Sequence, residues 1–193
     1  MKSICVFCGS SDAVSPDYLV AARQMGHVLA GYGLRLVYGG GKTGLMGAVA
    51  DGALEVGGEV IGVIIPSMNT PALASTNLTR MDVVPDMHAR KARMHELSDG
   101  YIALPGGFGT FDELFETITW GQTGAHEKPV GLLNVKNYYD PLLVALKHAV
   151  REGFVFQEHL DALAYDADPE RLLNAMQNHK YPREAVKRWM REE

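Results

Sequence analysis

The stretch "LRLVYGGGKTGLMGAVADGALEVGGEVIGVII", residues 34–65, places a short apolar strand, a glycine-rich turn, a helix-length segment and a second apolar strand in succession. The strand segments, 34–38 and 59–65, lack the polar alternation of a half-exposed strand, so both of their faces are expected to be covered. Buried strands of this kind are typical of a parallel sheet with helices on each side. The stretch therefore predicts an α/β fold.

The same alternation continues along the rest of the chain. Further strands are predicted at 3–8, 81–84, 100–104 and 129–135, with a weaker one at 162–165. Helices are predicted at 16–31, 44–56, 87–98, 110–121, 138–152 and 169–179, with a polar helical tail over 182–193. The one irregular stretch, 66–80, is long enough to form a loop over a site. We expect a single domain, residues 1–193, with a doubly wound, Rossmann-like parallel sheet and helices on both faces.

Composition excludes several classes of function. The chain has 193 residues, of which 47% are hydrophobic, and a formal net charge of −5. No apolar run approaches the roughly 18 residues of a membrane span, and the N-terminus enters a strand without a signal-peptide pattern. We therefore expect a cytoplasmic location and no membrane partner. We also expect no nucleic-acid partner, because nucleic-acid binding requires a positively charged surface. A small anionic ligand stays compatible with this charge, because a local site can be basic.

Neither the cysteines nor the histidines indicate a redox or metal site. Cys5 and Cys8 form a C-x-x-C pattern inside a predicted strand. Residues three apart on a strand point to opposite faces, so these thiols are expected to be small core residues. The seven histidines are scattered, with no H-E-x-x-H spacing.

Pyridoxal phosphate would need a partner for its pyridinium nitrogen, and no such partner can be read from the sequence. We expect no metal and no cofactor.

Three predicted strands end in glycine-rich segments, "FCGSSD", "VYGGGKTGLMG" and "LPGGFGT". In doubly wound sheets, ligands bind beyond the carboxyl ends of the strands. Each segment is expected to aim backbone N–H groups, with a helix N-terminus behind them, at one crevice, and this arrangement attracts phosphate. The candidate binding residues in these segments are Gly9, Ser10, Gly40, Gly41, Gly106, Gly107 and Gly109.

The middle segment matches two nucleotide motifs only in part. Gly39-x-Gly41-x-x-Gly44 fits the dinucleotide pattern, but the next strand ends at Ile65 without the acidic residue that would hold a ribose. The Walker A pattern would require a glycine where the chain has Leu36. Close packing of strand and helix accounts for such glycines equally well.

Glu113 admits a structural and a catalytic interpretation. Thr110-x-x-Glu113 has the form of a capping box, with Thr110 as N-cap of the predicted helix. A carboxylate beside a phosphate-binding loop also repels the phosphate that it faces. This placement costs binding energy, and it is explained if the carboxylate acts on another part of the ligand a few ångströms away. We expect Glu113 to complete the capping box and also to serve as the catalytic carboxylate. Glu116, one turn further on, is interpreted as a solvated helix residue rather than a partner of Glu113.

The predicted helix "MHARKARMHEL", 87–97, carries two cations on its apolar face. Met87, Arg90, Lys91 and Met94 share one arc at 100° per residue. Both cations lie in the first turn, where the helix dipole disfavours positive charge. An anionic partner therefore explains Arg90 and Lys91 better than packing does, and Met87 on the same face is a further candidate substrate-binding residue.

The motif "MHARK" (87–91) followed by "PGGFGTFDE" (105–113) resembles the paired signature of the LONELY GUY family. These cytokinin riboside 5′-monophosphate phosphoribohydrolases were long labelled "possible lysine decarboxylases". Four further segments extend the resemblance over most of residues 1–140: "FCGSS", "YGGGKTGLMGAVADGA", "VIGVIIP" and "ITWGQTGAHEKPVGLLNV". It implies a doubly wound homodimer that converts a nucleoside 5′-monophosphate to a free base and ribose 5-phosphate. The motifs do not fix which base is released.

The resemblance also implies roles for particular residues. Arg90 and Glu113 correspond to the catalytic pair. The corresponding substrate contacts are Lys91, Gly107, Phe108, Gly109, Thr110, Phe111, Asp112 and Thr119. The family often carries an acidic residue in the loop matching 66–80, where this chain has "NTPALAST", and this difference bears on base selectivity. A non-catalytic carrier of a nucleotide or phosphorylated cofactor is the alternative, although phosphate binding alone requires no Arg90–Glu113 pair.

Overall fold

A computed structural model describes residues 1–191, which build one seven-stranded parallel sheet in the order β4-β3-β2-β1-β5-β6-β7. The parallel α/β sheet predicted from the sequence is therefore confirmed. The strands are β1 (Ser3–Phe7), β2 (Arg35–Tyr38), β3 (Val60–Ile64), β4 (Arg80–Val83), β5 (Tyr101–Ala103), β6 (Val130–Leu133) and β7 (Leu163–Asp166). The inner strands β1, β2 and β3 are almost fully buried, as their apolar runs predict.

The described part of the chain contains eight α-helices. They are α1 (Pro16–Gly31), α2 (Gly44–Glu55), α3 (Met87–Glu96), α4 (Phe108–Gln122), α5 (Asp140–Arg151), α6 (Gln157–Asp161), α7 (Pro169–Gln177) and α8 (Arg183–Met190). Helices α1, α2 and α7 pack into one core cluster, and α3, α4 and α5 pack into the other. Cys8 belongs to the first cluster and Cys5 to the second, which confirms that the two thiols occupy opposite faces.

The strand order brings the three glycine-rich segments together. From β1 the chain adds β2, β3 and β4 on one side, and it then returns to place β5 on the other side of β1. In doubly wound sheets such a switch point opens a crevice at the carboxyl ends of the strands. Because β2, β1 and β5 are neighbours, their C-terminal segments meet at this crevice.

Some elements differ from the sequence prediction. The helix α6 and the 3₁₀ turns Pro66–Met68 and Val135–Asn137 were not predicted, because segments of three to five residues are too short to show a period. The tail predicted at 182–193 is helical over Arg183–Met190, and residues 192 and 193 lie outside the described residues. Within residues 1–191, no helix combines the length and the apolarity needed to cross a bilayer. The cytoplasmic location stays a prediction.

Candidate active site

A crevice of about 490 Å³ opens at the switch point, beyond the ends of β1, β2, β3 and β5. Eleven of its lining residues were predicted: Gly9, Ser10, Gly41, Met87, Arg90, Gly107, Phe108, Gly109, Thr110, Asp112 and Glu113. Those not predicted are Cys8, Gly39, Thr43, Met46, Ile64, Met68 and Leu73. The crevice thus unites residues from both halves of the paired signature.

The N-terminus of α4 is open toward this crevice. The helix begins at Phe108, and its first backbone bond runs from the Phe111 N–H to the carbonyl of Gly107 at 3.1 Å. Gly107 is the N-cap and has no side chain, so it cannot bond the amides of the first turn. Those amides have no acceptor inside the helix. They form a site for an anion, and the helix dipole adds to the attraction.

The predicted capping box is wrong. Thr110 lies inside the first turn of α4, two residues after its start, and is buried against Gly106. A threonine that is already helical cannot act as N-cap, because the N-cap residue stands outside the helix with extended geometry. The carboxylate of Glu113 turns instead to Arg90 on α3. The structural role proposed for Glu113 is thereby removed, and its pairing with Arg90 takes its place.

The N-terminus of α2 is closed, contrary to the expectation for the middle glycine segment. The Gly44 N–H donates to the Asp12 carboxylate at 2.8 Å. The N–H groups of Leu45 and Met46 donate to the carbonyl of Gly9 at 3.0 and 3.3 Å. Because these three N–H groups already donate to residues of the first glycine-rich segment, they are not available to a ligand. Of α2 and α4, the two helices that begin in the glycine-rich segments at the crevice, α4 supplies the free amides.

Arg90 is held rigidly in a buried position. Its Nε donates to the Val63 carbonyl at 3.0 Å, and its Nη1 lies 2.9 Å from Oε1 of Glu113. The side chains of Arg90 and Glu113 are 8% and 12% exposed. A buried ion pair persists only when its geometry and additional hydrogen bonds offset the cost of desolvation. The bond to β3 provides this support, so the guanidinium fixes the carboxylate beside the crevice.

The surroundings of Glu113 change its affinity for a proton. Burial raises the pKa of the Glu113 carboxyl above its ordinary value, and the neighbouring Arg90 opposes this shift. A carboxylate with a raised pKa accepts a proton more readily near neutral pH than a solvated glutamate does. Perturbed carboxyls in a cleft are frequent at catalytic sites.

Lys91, one of the predicted substrate contacts, lies beside the crevice but does not line it. Its Nζ is 2.9 Å from the Glu116 carboxylate and 3.2 Å from that of Asp112. Burial disfavours the charged amine, but these two hydrogen bonds outweigh that effect and raise the pKa of Lys91. Glu116 is therefore not the solvated residue that the sequence indicated, because it ties α4 to α3.

Four other predicted contacts also lie outside the lining of the crevice. Gly40 bonds the loop that follows β3 through its carbonyl, and Gly106 accepts a hydrogen bond from the Tyr138 hydroxyl. Phe111 packs into the core, edge-on to Tyr139. Thr119 is exposed and borders a separate, mostly apolar cavity of about 150 Å³. Glu113 and Thr119 are six residues apart on α4, which corresponds to about 9 Å along its axis.

One side of the crevice is an apolar wall that the sequence did not predict. It consists of Met46 from α2, Ile64 at the end of β3, and Met68 and Leu73 from the loop 66–80. This loop is fastened to the glycine segment, because the Lys42 N–H donates to the Leu73 carbonyl and the Ser75 N–H donates to that of Gly40, each at 2.9 Å. The sequence placed Met68 and Leu73 in a loop long enough to cover a site, but only the fold shows that they lie beside Met46 and Ile64.

Comparisons with known proteins place the chain in a family. Residues 46–176 match the family model described as "Possible lysine decarboxylase". The probable cytokinin riboside 5′-monophosphate phosphoribohydrolase LOGL1 of Oryza sativa subsp. japonica is 44% identical over 91% of this chain and 79% of its own length. LOG7 of Arabidopsis thaliana is 49% identical, over 80% of this chain and 71% of its own length. The Rhodococcoides fascians protein of the same name is 50% identical, and the match covers 80% and 78% of the two chains.

A solved structure supports the fold independently. The molybdenum cofactor binding protein from the phototrophic bacterium Rippkaea orientalis superposes with a TM-score of 0.69 and 26% identity, covering 92% of this chain and 97% of that one. The curated relatives above are more similar in sequence and span most of both chains. The chain therefore belongs to the possible lysine decarboxylase family and, within it, to the LONELY GUY proteins, whose curated members are named cytokinin riboside 5′-monophosphate phosphoribohydrolases.

Proposed function

We propose that this chain hydrolyses the N-glycosidic bond of a cytokinin riboside 5′-monophosphate, an N6-modified AMP, to free base and ribose 5-phosphate. The observation that carries the proposal is the buried Arg90–Glu113 pair on the wall of the crevice that receives the open N-terminus of α4. A site that only bound phosphate would gain nothing from a carboxylate at this position, because the two anions repel each other. The names of the curated relatives agree with this activity.

Glu113 acts on the sugar and on the attacking water. Cleavage of a ribosyl bond places positive charge on the sugar in an oxocarbenium-like transition state, as in glycoside hydrolysis. The Glu113 carboxylate stabilises this charge and accepts a proton from the water that adds to C1′. The electron pair of the broken C–N bond goes to the base, which leaves after gaining a proton.

The first turn of α4 holds the 5′-phosphate. The N–H groups of Phe108, Gly109 and Thr110 occupy the first three helical positions, which lack intrahelical acceptors. Binding energy from the phosphate, which does not react, is then used to orient C1′ against Glu113. A guanidinium keeps its proton in proteins, so Arg90 serves as a hydrogen-bond donor that positions Glu113 and contacts the ribose or phosphate oxygens.

The apolar wall receives the base and its N6 substituent. Met46, Met68 and Leu73 are uncharged. The unbranched methionine side chains are flexible and can adapt to the shape of the substituent. The loop 66–79 contains no acidic residue that would bond the exocyclic amine of plain adenine. An isoprenoid substituent gains about 25 cal/mol for each Å² of apolar surface that it buries here. Prenylated AMP is therefore the preferred substrate in this proposal.

The active form is a homodimer in this proposal, in which Thr119 serves the site of the partner. Thr119 is exposed and lines a different cavity from the crevice of its own chain. Light scattering after size exclusion should give twice the mass of one chain. Mixing inactive E113Q with a weakened T119A variant should restore activity, because one site of each mixed dimer is intact. Activity no greater than the sum of the two variants would contradict the shared site.

A carrier of a phosphorylated cofactor is the second candidate. It is favoured by the superposition on the molybdenum cofactor binding protein, whose chain is covered almost completely. A carrier requires the phosphate site at α4 but not the paired carboxylate. The two candidates therefore differ in whether a bound nucleotide is turned over.

Chromatography of a substrate panel tests the proposal. The pure protein is incubated with AMP, isopentenyladenosine monophosphate, GMP and CMP, and with the corresponding unphosphorylated nucleosides. We expect base release from monophosphates alone, fastest from the prenylated nucleotide, because the phosphate site and the apolar wall both contribute. Binding of the nucleotides without release of any base would favour the carrier.

A further inference from the structure

Gly39, the first glycine of the G-x-G-x-x-G stretch, has no evident backbone reason to be glycine. Gly40 and Gly44 have φ angles of +76° and +57°, which L side chains rarely adopt, whereas Gly39 is not among the glycines with positive φ. The α2 amides that follow the stretch are already bonded within the protein, so close approach of a phosphate does not explain Gly39 either. The reason for this glycine must therefore lie in its surroundings.

The space beside Gly39 is occupied by the guanidinium of Arg90. A Cβ atom placed on Gly39 would lie 2.0 Å from Nη2 of Arg90 and 2.3 Å from Cε of Met46. The methionine end is flexible and can move away. Arg90 cannot move without loss, because its Nε and Nη1 are bonded to Val63 and Glu113. Any side chain at position 39 therefore displaces the guanidinium.

We propose that Gly39 is a positioning residue, whose missing side chain makes the room in which Arg90 holds Glu113 in its reactive orientation. This inference rests on the proposed hydrolysis at the same site. It assigns the first glycine of the stretch to the catalytic pair rather than to a nucleotide phosphate. The proposal extends the site to the end of β2, a strand that supplies no charged group to it.

A methyl group at position 39 should impair turnover more than substrate binding. The amides at the start of α4 are not touched by this change, and only the contact of Arg90 with the substrate oxygens is weakened, so KM should rise less than about tenfold. The reacting groups would be misaligned by an ångström or so, and kcat should fall about 10- to 100-fold. Arg90 also opposes the effect of burial on Glu113, so its displacement should raise the pKa of that carboxyl further. The acid limb of the activity profile should move to higher pH.

The chain offers a control outside the site. A Cβ atom on Gly31, the last residue of α1, would meet no heavy atom within 4 Å, and the φ angle of Gly31 is not positive. G31A adds the same methyl group at an exposed position that does not line the crevice. It should leave kcat within about threefold of the wild type, because an exposed substitution away from the site changes little.

A double-mutant cycle decides whether Gly39 acts through Arg90. The kcat values of wild type, G31A, G39A, R90A and G39A/R90A are compared, with circular dichroism as a check of folding. If the methyl group acts through the guanidinium, G39A/R90A should be no slower than R90A alone, because effects through one shared group do not add. Wild-type kcat in G39A, or a fully additive loss in the double variant, would overturn the proposal.

A measurement without turnover separates this proposal from the proposed hydrolysis. The Glu113 carboxyl is titrated by ¹³C NMR in the wild type, G39A and G31A, and its resonance is assigned by its absence in E113Q. We expect a higher Glu113 pKa in G39A and an unchanged one in G31A. An unchanged pKa in G39A would refute the positioning role even if no nucleotide is hydrolysed. Absence of base release from wild type and G31A would refute the hydrolysis alone.

Discussion

Replacing Glu113 by glutamine is expected to lower kcat about 10³-fold or more, because the carboxylate both stabilises the sugar cation and accepts a proton. Glutamine has the same shape, and its amide oxygen can still accept the hydrogen bond from Nη1 of Arg90, which lies 2.9 Å from Oε1 in the native pair. The fold and the phosphate site should therefore persist. The measurement is steady-state release of free base, together with calorimetric binding of ribose 5-phosphate.

Glu116 provides the control for this substitution. It lies one turn further along α4, is half-buried and pairs with Lys91 rather than with Arg90. E116Q makes the same chemical change at a carboxylate that does not line the crevice. It should keep kcat within about tenfold of the wild type, since loss of a partly exposed ion pair costs little. Equal losses in E113Q and E116Q would show that general damage to α4, rather than the chemistry of Glu113, lowers turnover.

Replacing Arg90 by glutamine should lower kcat/KM at least about 100-fold, with the greatest loss at low pH. Burial raises the pKa of Glu113, and Arg90 holds that rise in check. Without the guanidinium, the folded-state pKa rises further. Glu113 acts in its ionised form, so activity is lost as pH falls through this pKa. The acid limb should therefore move to higher pH, and part of the activity should return as the pH increases.

The pH profiles of wild type, R90Q and R90K are measured from about pH 5 to pH 9. An ordinary glutamate titrates near 4.3, so this range covers the region into which a raised Glu113 pKa moves. Lysine keeps the positive charge but cannot bond Val63 and Glu113 in the fixed fork of a guanidinium. R90K should therefore lose turnover with a smaller displacement of the acid limb. An acid limb that stays in place in R90Q, or moves to lower pH, would contradict the electrostatic role of Arg90.

The fold was predictable because the buried strands carry their signal locally. Continuous apolar runs such as 3–8 and 59–65 identify strands covered on both faces, and the helix-length segments between them determine the parallel arrangement. All seven strands occur where they were predicted, and the helix ends differ by one or two residues. The helix α6 was missed because five residues cannot display helical periodicity.

The site was predictable in part. Arg90 and Glu113 stood out because charged residues occupied an apolar helix face and a glycine-rich helix start. Sequence spacing could not reveal that the α2 amides are consumed by Asp12 and Gly9, because these contacts join segments more than 30 residues apart. The pairing of Lys91 with α4 and the apolar wall around Met46 depend on the same kind of tertiary contact.

A single-turnover experiment distinguishes hydrolysis at the Arg90–Glu113 pair from nucleotide binding alone. Wild type and E113Q are each mixed in excess with labelled isopentenyladenosine 5′-monophosphate, and nucleotide, base and ribose 5-phosphate are quantified over time. We expect wild type to convert the bound nucleotide to equal amounts of base and ribose 5-phosphate, whereas E113Q keeps it bound and intact. Intact nucleotide on the wild type, or equal conversion by E113Q, would contradict hydrolysis by the Arg90–Glu113 pair.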